Sequence, residues 1–168
     1  MATAAGVLQE LTQVLAGQRD VYGRLLSLAR EKQEALVRGD LPVIEQIVAQ
    51  EEQLVVQVGK LEEARNQLVE ALATELGLED RQLTISKLLE LGAGDTSRLQ
   101  GIAVELTHVL EDLGKVNEQN KQLLQQSLKY LDFTVNLLAG QEDLPVYHGK
   151  EGNNPGERPP ARLFDKKV

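Results

Sequence analysis

The sequence has no cysteine and no tryptophan, a single methionine, and only 3% aromatic residues. Without cysteine the chain can form no disulfide, thiolate zinc site or iron–sulfur cluster, and it has no thiol nucleophile. Two histidines, one of them at position 148 in a Pro/Gly-rich stretch, are too few for a convincing acyl-transfer triad. Basic side chains are the minority charge, with 18 Lys and Arg against 26 Asp and Glu, a net charge of −8. That balance opposes coating nucleic acid, which needs clustered Lys and Arg, and equally a polybasic hold on anionic lipid. No unbroken apolar run approaches the roughly 20 residues of a membrane span, so no membrane insertion is expected. No basic side chain precedes Arg19, and polar residues already interrupt Val7-Leu8-Gln9-Glu10-Leu11, so no secretory signal is read. The expected compartment is the cytoplasm.

What is present is aliphatic. Hydrophobic residues make up 42% of the chain and leucine alone supplies 30 positions. Their order is helical. Leu8, Leu11, Leu15, Gln18, Tyr22, Leu25, Ala29, Lys32 and Leu36 follow a 3-4-3-4 spacing, and Val7, Val14, Val21, Leu28 and Ala35 lie beside them at sevens. The two rows make an apolar face wider than a two-stranded coiled-coil seam, which suits a bundle, and predict a helix over about 4–38. Gly39 can take the left-handed conformation, Asp40 can cap the next helix, and Pro42 falls in that helix's first turn. So short a connection makes the two helices antiparallel neighbours.

The second helix is expected to run to about Leu76 and stop at Gly77. Its row is Ile44, Ile47, Glu51, Leu54, Val58, Leu61, Arg65, Leu68 and Leu72, with Val48, Val55 and Val69 alongside. A short helix capped by Thr84 follows, closed by Gly92-Ala93-Gly94. Asp95 or Thr96 then caps the longest segment, about 97–139, on the row Leu99, Ile102, Leu106, Val109, Leu113, Val116, Asn120, Leu123, Ser127 and Tyr130. The fold class is all-α: an elongated antiparallel bundle of three long helices, with one short helix between the second and third.

Residues 141–168 have a different composition. They hold four of the five prolines and three glycines, and their five acids balance five bases. Such a stretch buries too little apolar surface to offset its ordering entropy, so residues 1–140 are expected as a helical body and 141–168 as a disordered C-terminal tail. The tail carries one apolar pair, Leu163-Phe164. It is either a chance pair at a frayed end or a short docking motif.

No chemistry beyond binding is legible. Glu105-Leu106-Thr107-His108 has the Glu-x-x-His spacing of di-iron bundles, but that site needs two such pairs and two further Glu. Gly92-Ala93-Gly94-Asp95-Thr96-Ser97 lacks the Gly-Lys-[Ser/Thr] of a phosphate loop and follows a helix instead of a strand. The chain therefore reads as non-enzymatic, with no cofactor and no metal. Asn117 and Asn120 interrupt the apolar row of the last long helix, where a polar side chain can fix register between helices. Downstream lie two apolar stripes, Leu124, Leu128, Leu131, Val135 and Leu138 on one and Leu123, Tyr130, Phe133 and Leu137 on another. A helix with two apolar faces either is covered on both, here by the short helix at 84–91, or leaves one for a partner.

Two stretches resemble the FlgN-like flagellar export chaperones. One is Glu31-Lys32-Gln33-Glu34-Ala35-Leu36-Val37-Arg38-Gly39-Asp40 leading through Leu61-Glu62-Glu63-Ala64-Arg65, similar to that family's helix–turn–helix with its K-x-x-A-L and later L-E-x-x-R. The other is Asn117-x-x-Asn120-x-x-Leu123-Leu124, similar to its N-x-x-N-x-x-L-L. The tail adds Tyr147-His148-Gly149-Lys150-Glu151-Gly152 and the ending Leu163-Phe164-Asp165-Lys166-Lys167, as in Gram-positive members. The resemblance implies a cytoplasmic type III secretion chaperone without ATPase activity. Its partners would be the hook–filament junction proteins FlgK and FlgL, whose amphipathic terminal helices it would cover before export. It places partner binding on Asn117, Asn120, Leu124, Leu128, Leu131 and Val135 and on the tail residues Tyr147, Leu163 and Phe164, with Tyr147 matching a tail tyrosine linked to docking on the export gate. A cytoplasmic coiled-coil scaffold unrelated to secretion explains the helices and the acidity equally well. The periodicity leaves the oligomeric state open.

Overall fold

A computed structural model describes residues 3–78, 83–91 and 96–140. The described residues form four helices: α1 (Ala4–Arg38), α2 (Leu41–Glu75), α3 (Ile85–Glu90) and α4 (Ser97–Gly140). The chain divides into two compact units, Met1–Tyr130 and Leu131–Val168, so the boundary falls within α4.

In the first unit, α1 and α2 form an antiparallel hairpin whose ends are set by local chemistry. The Thr3 hydroxyl accepts the Gly6 N–H at 3.3 Å, giving the first turn of α1 a partner for one of its free donors. At the other end Gly39 adopts φ 68°, which costs a residue without Cβ nothing. The Gly39 and Asp40 amides then return to the Leu36 and Ala35 carbonyls at 3.3 and 2.9 Å. The Asp40 carboxylate accepts the Val43 N–H at 3.4 Å and Pro42 sits in the first turn, so α2 begins at once. Gly77, with φ 65°, closes α2 in the same way, with Leu78 N–H on the Ala73 carbonyl at 2.9 Å. Thr84 caps α3 by accepting the Lys87 N–H at 3.3 Å.

Two apolar clusters hold this unit. Val7, Leu8 and Leu11 of α1 pack with Leu72 of α2, Leu88 of α3 and Leu99 of α4. Farther along the hairpin Val21, Leu25 and Leu28 meet Ile47 and Leu54, with Leu113 of α4 partly buried against them. Each leucine fully withdrawn from water contributes about 1.5–3 kcal/mol, so these clusters supply most of the cohesion. Two polar side chains buried in α1 are bonded. The Thr12 hydroxyl donates to the Leu8 carbonyl at 2.7 Å, and Gln18 Nε2 donates to a Glu62 carboxylate oxygen at 2.8 Å.

α4 is aligned on α1 and runs parallel to it. Arg19 meets Glu105, Gln33 meets Gln119, and Asn120 meets Ala29. By this register the turn at Gly39 lies level with α4 around Leu124–Leu128. α3 contributes Leu88 to the cluster around Leu99, at the beginning of α4, and so does not cover the later apolar stripes. α4 has 44 residues against 35 for each of α1 and α2. The described residues of the second unit, Leu131–Gly140, are its final turns.

Candidate functional site

The functional residues expected from the sequence separate into three sets. Asn120 is buried, 3% exposed, and its Nδ2 donates to the Ala29 carbonyl of α1 at 2.8 Å. It thus belongs to the contact that sets the α1–α4 register, while its Oδ1 is buried without a hydrogen-bond partner. Asn117, one turn earlier, is rotated outward and exposed, because residues three apart on a helix differ by about 60° in direction. The second set is the apolar stripe after these asparagines. In the first unit Leu124 and Leu128 are exposed, Leu128 at 60%. Among the described residues of the second unit Leu131, Phe133, Val135, Leu137 and Leu138 are all exposed by more than half. So many large exposed hydrophobics are unusual on a helix in water. The third set, Tyr147, Leu163 and Phe164, lies outside the described residues.

Beside Leu124 and Leu128 a groove of about 640 Å³ opens between α2 and α4, with α1 as its floor. Tyr22 and Leu25 line the floor, Val55 and Val58 the α2 wall, and Leu113 and Leu124 the α4 wall. Val55 belongs to the row expected beside the core row of α2, but it is 58% exposed, and Val48 is exposed too. The reason at Val55 is positional: α4 is bonded to α1, and the groove between α4 and α2 leaves Val55 facing the gap. Periodicity shows that a side chain lies beside an apolar row. It does not show which neighbour fails to arrive.

The polar groups of this groove are few. Lys32 and Glu51, both largely covered, pair at 2.7 Å across α1 and α2. Lys121 on α4 lines the same groove and makes no ion pair among the described residues. Outside it, Arg19 spans from α1 to Glu105 of α4 at 2.7 Å and also contacts its neighbour Asp20. The hydrogen bonds that Arg19 donates, to Glu105 first and then to Asp20, raise its guanidinium above the usual pKa, so it stays charged. Glu105 is therefore engaged with a cation, and His108, the other half of the Glu-x-x-His spacing, is exposed. No group of three or more metal-ligating side chains occurs among the described residues, and no helix there is long and apolar enough to cross a membrane.

Three comparisons bear on what such a surface serves. The family model described as "FlgN protein" matches residues 1–156. Over 166 residues the chain is 23% identical to a Bacillus subtilis (strain 168) protein printed as "Uncharacterized protein YvyG", covering 99% of each chain. No solved structure matches. A match over so much of the chain shows the family: this protein belongs to the FlgN family of flagellar export chaperones.

Proposed function

We propose that this FlgN-family chaperone binds hook–filament junction proteins of the FlgK and FlgL type in the cytoplasm, through their amphipathic terminal helices, and delivers them to the flagellar type III export apparatus. The observation that carries the reading is the exposed apolar series on α4, from Leu124 and Leu128 to Leu131, Val135 and Leu138. A terminal helix of a junction protein is amphipathic and unpaired before assembly, so its apolar stripe invites aggregation. Laid against an equally apolar helix face, both stripes leave water together, each buried leucine contributing about 1.5–3 kcal/mol before the ordering cost of binding. The protein's net charge of −8 serves solubility and the rate of encounter more than affinity.

In this reading residues 1–140 hold the cargo and residues 141–168 present it. Tyr147 is the tail position for docking on the export gate, and Leu163 and Phe164 are a second apolar contact. The test is to mix the full chain with a purified full-length junction protein at the temperature where that protein alone scatters light. A stable complex on size exclusion, with scattering suppressed at equimolar chaperone, supports the reading. Unhindered aggregation and separate elution would remove it and leave the scaffold function as the better account.

A further inference from the structure

We propose that the groove between α2 and α4 is the seat for a fourth helix, supplied by the bound protein: amphipathic, about four turns long, with a carboxylate bordering its apolar stripe. This rests on the chaperone reading and assigns its binding to a place in the fold. The first unit offers three surfaces in the arrangement of a bundle, yet beyond the cluster where Leu72 meets Leu99, α2 and α4 face each other across a groove floored by α1. A helix laid in the gap would touch all three and complete a four-helix arrangement.

The occupant's length follows from the walls. Along α4 the apolar lining runs from Leu113 to Leu128, about 22 Å at 1.5 Å per residue, or four turns. Its apolar stripe follows from Val55, Val58, Leu25 and Leu124, which present branched aliphatic surface from three sides. Its charge follows from Lys121. The other charged side chains of the lining, Lys32 and Glu51, neutralise one another at 2.7 Å, so Lys121 leaves the groove locally positive on a protein of net charge −8. A carboxylate facing Lys121 gains an ion pair that desolvation on docking strengthens, whereas a basic partner helix meets repulsion there. The α2 wall is what distinguishes this seat from binding along α4 alone.

The experiment titrates two peptides into the full chain by calorimetry. One is the C-terminal segment of a flagellar junction protein. The other is a designed 16-residue amphipathic helix with a leucine stripe flanked by glutamates. Val55→Glu places a charge on an exposed α2 position that the α4 stripe does not include, and circular dichroism should be unchanged. The expected result is at least tenfold weaker binding of both peptides. Exchanging the flanking glutamates of the designed peptide for lysines should weaken it several-fold on the native chain, and Lys121→Glu should restore that variant. Full affinity in Val55→Glu, alongside loss in Leu128→Glu, would overturn the groove while leaving the chaperone reading intact. Binding of the designed peptide but not the junction peptide would keep the groove and remove the junction proteins as cargo. Binding of neither would overturn both.

Discussion

α1 and α4 are built from the same leucine- and valine-rich rows, yet α1 buries eleven of its 35 residues and α4 only three of its 44. The difference does not lie in composition. α1 occupies the middle of the unit, with α2 on one side and α4 on another, so both of its rows find cover. α4 is buried at only three places: at Leu99, in the cluster it shares with α1, α2 and α3, at Ile102, and at Asn120, where it is bonded to α1. An apolar row without an intramolecular neighbour contributes nothing to folding in water. Its presence over several turns is what the proposed cargo binding would account for.

That contrast can be broken most severely in the core. Leu72→Ala, at a side chain with no exposure, should cost about 2–5 kcal/mol in urea unfolding through lost burial and the cavity left among Val7, Leu11 and Leu99. Leu137→Ala, at an exposed leucine of the same composition, should stay within about 0.5 kcal/mol. Similar losses at both would mean that the late part of α4 is covered in solution.

Asn120 sharpens the comparison, because it is the buried polar point at which α4 is fixed to α1. Asn120→Asp sets a carboxylate against the Ala29 carbonyl and should cost about 3 kcal/mol. Asn120→Leu removes the Nδ2 bond together with an unpartnered Oδ1, two opposing effects of about 1 kcal/mol each, and should leave the melting temperature nearly unchanged. Next comes Lys32→Met. It strands Glu51 in a largely covered place and should cost about 1–2 kcal/mol, with most of that recovered when Glu51→Leu is added. The smallest effect is expected at Arg19→Gln. Its links to Glu105 and Asp20 are solvent-accessible, so melting temperature should hold, and any change should vanish in high salt.

Much of this fold is legible in the residue order. The 3-4-3-4 row from Leu8 to Leu36, ending at a glycine followed by Asp and Pro, specifies α1 and its turn because each local rule agrees with the next. Thr84 and Gly77 are legible for the same reason. The candidate site is legible only in part. Paired asparagines in an apolar row stand out, but the row alone does not separate them into Asn120, bonded to α1, and Asn117, exposed on the groove. Val55 was hidden for a different reason. Its role depends on the distance between two helices that are remote in sequence, and periodicity carries no information about distance.

The central claim is that the exposed apolar stripe of α4 binds cargo and does not support the fold. It is tested most directly by Leu128→Glu combined with Leu131→Glu, titrated calorimetrically with the C-terminal peptide of a flagellar junction protein and checked by circular dichroism. Two unpaired carboxylates against a partner's apolar stripe should cost several kcal/mol of binding, on the order of a hundredfold or more in Kd, because burying unpaired charge is so unfavourable. The account predicts that loss with the helical signal and melting temperature intact. Native affinity with intact helices, or collapse of the helical signal, would contradict it.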